Sequence, residues 1–163
     1  MMYGDEQRRI HTCIYSACVV FLFALLIGAV FDPSVRLLYV CQSLIYVAVI
    51  VLGARNSPWG FGAGCLVAVF WNYFFLHGEA TSVWAFLTLR AIRPNIGIQL
   101  AAAIAHCVLV VACLLGFLRQ IPSSRSWAKF IAGGMVAISY LVMLIVLMRP
   151  QLVPALRGSF GLN

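Results

Sequence analysis

Acidic residues are nearly missing from this sequence: four Asp and Glu stand against eleven Lys and Arg. Asp5 and Glu6 fall near the start, and Asp32 and Glu79 sit at the edges of apolar runs. No two carboxylates are spaced to work as a general acid and base, so paired-carboxylate chemistry is not expected. Charge of either sign is scarce, at 9% of residues against about 25% in soluble domains. A water-soluble domain of this length needs a charged surface, and no stretch is polar enough to provide one.

Cys-x-x-Cys pairs are also missing, and the polar loops contain no cysteine. Cys13, Cys18, Cys41, Cys65, Cys107 and Cys113 all fall in or beside apolar runs. That placement excludes a thiol-redox centre or a disulfide framework and reads as small apolar packing residues. Histidine is limited to His11, His77 and His106, at different depths. A structural metal site wants more converging ligands, and a haem held by two histidines needs a second deep one. No Ser or Cys stands beside an oriented base, as nucleophilic catalysis requires. Gly60-x-Gly62-x-Gly64 has neither the preceding strand nor the spacing of a phosphate cradle. No metal, cofactor or catalytic set is expected, and the sequence leans away from an enzyme.

What the chain does have is apolar length. Hydrophobic residues make up 64% of it, and the mean hydropathy is +1.02. A bilayer core about 30 Å thick takes about 20 helical residues. Five segments meet that length, at 13–31, 37–54, 59–77, 96–118 and 128–148. Asp32-Pro33-Ser34, Arg55-Asn56-Ser57-Pro58, Arg93-Pro94-Asn95, Pro122-Ser123-Ser124-Arg125 and Arg149-Pro150 separate or end them. Proline suits such boundaries because it lacks an N–H and restrains the residue before it. The expected fold is all-α, a multi-pass transmembrane helix bundle, with 1–163 as a single integral membrane domain. The first run is longer than a signal-peptide core of about 7–15 residues and precedes no clear cleavage site, so it reads as a retained span. Residues 80–92 are apolar but too short to span, and are expected as an interfacial or re-entrant helix. Five spans in this length resemble the tryptophan-rich sensory and translocator proteins in number. Ser57-Pro58-Trp59-Gly60 is the nearest fragment to that family's loop motifs, and no function is carried across.

The net charge of +7 comes from basic residues scattered at the ends of apolar runs. They are placed as anchors to lipid headgroups, and no nucleic-acid motif or basic face accompanies them. The lipid bilayer is therefore the expected partner, with a homo-oligomer or other membrane proteins as further candidates and no nucleic acid. With five spans, Arg8, Arg9, Arg55, Arg119, Arg125 and Lys129 share one side, against Arg36, Arg90, Arg93, Arg149 and Arg157. Six against five favours a cytoplasmic N-terminus.

Small residues mark where helices approach closely in lipid. The third span carries Gly60, Gly64, Ala68 and Asn72 in i, i+4 succession, and the fifth carries Gly133 and Ala137. These are expected packing faces. In the fourth span, Gln99, His106 and Cys113 are seven apart and fall on nearly one face. Polar groups within a span should face protein or a water-filled cavity. With Asn72 and Gln42 they form a candidate polar cavity, in which His106 either fixes helix register or lines a path. A second candidate lies at the interface, where His77, Glu79, Arg90 and Arg93 converge if Gly78 breaks the helix. The leading expectation is a transport-related protein: a solute or ion carrier, or a pore-forming subunit. The alternative is an accessory or scaffold protein that binds others through its small-residue faces, and the third is a membrane enzyme acting on lipid or quinone.

Overall fold

The structure is a computed structural model, and it describes residues 2–31, 33, 36–78 and 94–148. Among the described residues five α-helices carry the fold. They are α1 (Met2–Phe31), α2 (Arg36–Ala54), α3 (Pro58–Gly78), α4 (Pro94–Leu118) and α5 (Ser124–Met148). Four stretches within α1, α2, α4 and α5 are long and apolar enough to cross a membrane: Asp5–Val30, Arg36–Ala54, Leu100–Leu118 and Ser124–Met148. That is consistent with an integral membrane protein. The segment 80–92, expected as an interfacial or re-entrant helix, lies outside the described residues.

The first helix differs from the expectation. It begins at Met2 rather than near residue 13. Its 30 residues reach about 45 Å, well beyond a hydrocarbon core of about 30 Å. The extra turns are polar, so hydropathy alone does not reveal them. They are helical because Glu6, Gln7, Arg8 and Arg9 are good helix formers and because Glu6 and Gln7 find distant partners.

Those partners fix the topology. Gln7 Nε2 donates to Asn56 Oδ1 at 2.7 Å, and His11 Nε2 lies 3.0 Å from the same oxygen. Gln120 Nε2 donates to the Asn56 carbonyl at 2.9 Å, and Arg119 pairs with Glu6 at 2.8 Å. The start of α1, the α2–α3 turn and the α4–α5 turn therefore meet at one end of the bundle, and consecutive helices alternate in direction. Asn56 holds that turn with φ 53°. Ser57 N–H bonds back to Leu52 O and Asn56 N–H to Gly53 O, which is a Schellman closure. Asparagine tolerates the left-handed conformation, and Pro58 then opens α3 at a position that needs no N–H.

Helix α3 lies in the middle, against α2, α4 and α5, while α1 packs on α2 and α4. Residues Gly60 to Cys65 are all buried. Gly60 meets Leu52 and Gly53 of α2, and Gly64 sits between Val49 of α2 and Cys113 of α4. Each i+4 step advances about 40° around a helix of 3.6 residues per turn, so the stripe winds from α2 toward α4. Asn72 ends on α4, with Nδ2 donating to Cys107 Sγ at 3.3 Å. Ala68 and Ala137 are buried in the core. The closest approach is between α3 and α5. A methyl on Gly62 would strike the Phe130 backbone, and one on Gly133 would strike the backbone of Trp59. The small-residue faces are thus occupied within the chain, by α2, α4 and each other.

The outer surface is apolar. Phe23, Val30, Leu37, Val136 and Leu147 are each at least 60% exposed. Large apolar side chains exposed to this extent suit lipid rather than water.

Candidate functional site

Gln42 and His106 are the only buried polar side chains among the described residues, apart from hydroxyls and thiols counted with the core. They come together through Tyr46, which the sequence reading did not single out. Tyr46 is fully buried at the middle of α2. Its hydroxyl lies 2.8 Å from His106 Nε2 of α4, and the tautomer decides which atom donates. Phe21 of α1 covers both rings, with centroids 4.4 Å from Tyr46 and 4.1 Å from His106. Three helices thus build one compact group.

Gln42 precedes Tyr46 by one turn, so both point from the same face of α2. Its amide lies beside the Tyr46 hydroxyl. Among the described residues Gln42 Nε2 makes no well-formed hydrogen bond, although it interacts with that hydroxyl. An amide donor left unpaired in a protein interior costs about 1–3 kcal/mol, and water inside a bilayer is too scarce to relieve it. Gln42 therefore keeps hydrogen-bonding capacity that its described neighbours do not fully use.

The other expected residues are placed differently. Cys113, one stripe position beyond His106, is fully buried, with Sγ against Gly64 of α3. Asn72 bonds to Cys107 rather than to His106, and its Oδ1 is buried without a partner, as is Trp71 Nε1. Trp71 belongs to an aromatic group with Phe70 and Phe74 near the end of α3. The side chain of Gln99 lies outside the described residues. So do the side chain of His77 and all of Glu79, Arg90 and Arg93, which leaves the interfacial candidate outside the described residues as a whole.

His11 contacts Asn56 at the bundle end and takes no part in the His106 group. Among the described residues no three His, Cys, Asp or Glu side chains gather as a metal site. The six cysteines are unbridged.

A mid-span tyrosine is a signal that sequence alone contains, since tyrosine usually collects at the interfaces. Placed four residues after Gln42, it marks a polar face on α2. The Asn56 junction has no such signal, because its partners are 45, 49 and 64 residues away.

Comparison of the chain with protein families, with characterised proteins and with solved structures finds no match.

Proposed function

We propose that this chain is a transport-related integral membrane protein with five crossings, α3 being the fifth, and a cytoplasmic N-terminus. Gln42, Tyr46 and His106 form its interior polar step, and the solute they fit is small, polar and uncharged. The observation behind this is the buried Gln42 Nε2, which makes no well-formed hydrogen bond to any described residue. It calls for an oxygen acceptor. No charged side chain is buried among the described residues, which favours an uncharged solute over an ion. The depth supports it too, since Tyr46 lies at the centre of Arg36–Ala54.

A scaffold acting through its small-residue faces is less well supported, because those faces are filled from within the chain.

The test is the shrinking and reswelling of purified proteoliposomes by stopped-flow light scattering with urea, glycerol and acetamide. Faster reswelling than in protein-free vesicles is expected for at least one solute. Gln42→Leu and Tyr46→Phe should return the rate to the protein-free value while remaining folded. Reswelling no faster than protein-free vesicles with all three solutes contradicts the proposal.

A further inference from the structure

We propose that α1 and α2 form a binding site for one phospholipid, independent of the His106 group. A half-open cleft of about 260 Å³ lies between the C-terminal half of α1 and the N-terminal half of α2. Leu22, Leu25, Leu26 and Ala29 form one wall, and Tyr39 and Ser43 belong to the other. Leu26 and Val40 on its rim are exposed, so the cleft opens on the lipid-facing side.

The lining says what fits. Ser43 Oγ already donates to its own helix, to Val40 O at 2.6 Å. The remaining wall is aliphatic apart from the Tyr39 ring, so the occupant is apolar along its length. Next to the mouth stands a cation. Arg36 is the first residue of α2, and its Nε donates to Ala29 O at 3.2 Å. Ala29 itself lines the cleft. That bond uses one guanidinium donor and holds the group beside Ala29, at the end of the cleft. The remaining fork matches a phosphate. From Arg36 to Ser43 is roughly 10 Å along the helix at 1.5 Å per residue. A charge at the end of a span, with an apolar trough running inward beneath it, has the layout of a phospholipid: phosphate on Arg36, one acyl chain in the cleft. The leaflet is the one opposite the Asn56 junction.

The experiment is native mass spectrometry of the full chain released from detergent after titration with phosphatidylglycerol, with melting temperature followed in parallel. Wild type should hold one lipid and melt higher with it. Arg36→Gln should weaken retention about tenfold, the loss of a charge-assisted bond. Ser43→Phe fills the trough and should abolish both the adduct and the thermal shift, with the lipid-free melting temperature near wild type. Should Ser43→Phe not fold, Val40→Trp caps the same opening from an exposed position and must give the same loss. Inorganic phosphate should neither bind nor compete. Equal lipid retention in wild type and in these variants overturns the proposal. So does a dimer that excludes lipid and is cross-linked through Ser43→Cys, which would assign the cleft to a second copy.

Discussion

Gly62→Ala is expected to destabilise the bundle by about 3 kcal/mol or more, although it adds a single methyl group. The new carbon would meet the carbonyl of Phe130. A flexible side chain can move aside, but a helix backbone can yield only if α3 and α5 separate. Overpacking typically costs about 1–3 kcal/mol, and a backbone obstacle puts this case at the upper end. Separation also strips van der Waals contacts from Gly133 and Gly134, which sit against Trp59 and Leu66. In lipid those contacts replace the hydrophobic effect as the force between helices. The control is the same change at Gly97, where an added methyl meets none of the described residues within 4 Å. Removing glycine from a helix interior there should be neutral or stabilise by about 0.5–1 kcal/mol. Unfolding in mixed detergent, followed by circular dichroism, reads both. Equal midpoints for the two variants would mean that α3 and α5 do not approach as described.

Tyr46→Phe is expected to cost about 1–2 kcal/mol, because it removes one oxygen and leaves His106 Nε2 buried with no partner. His106→Phe keeps a ring against Phe21 and leaves the Tyr46 hydroxyl unpaired instead. The double variant removes both ends and should cost less than the sum of the singles. A coupling of about 1 kcal/mol is expected, within the range for hydrogen bonds between membrane helices. The same unfolding assay gives the cycle. Additive single effects would show that Tyr46 and His106 are neighbours without a bond.

The helix positions were legible because apolar runs of membrane length are bounded by Pro, Asn and Ser, and chemistry of that kind is local. Where physical causes are non-local, the sequence said less. The early start of α1 depends on Asn56 and Arg119, far along the chain. The Gly60–Gly64–Ala68 stripe was visible as spacing, but not that it winds from α2 to α4. Gly62, on the other side of α3, makes the closest contact and belongs to no i, i+4 series that draws notice. His106 stood out as an ionisable group deep in a span, and Gln42 as a polar one. Their connection through Tyr46 was not legible, because tyrosine among apolar residues looks like packing until its hydroxyl is given a direction.

The most direct test of the interior polar step is the access of water-borne reagent to Gln42. In a background with the native cysteines replaced, Gln42→Cys and Leu44→Cys sit at similar depth on α2. One faces the interior, the other is exposed on the lipid side. In intact vesicles, a membrane-impermeant thiosulfonate should modify the cysteine at 42 and leave the one at 44 untouched. If both cysteines are equally inert, the interior around Tyr46 and His106 never opens to solute, and the group serves only to hold three helices together.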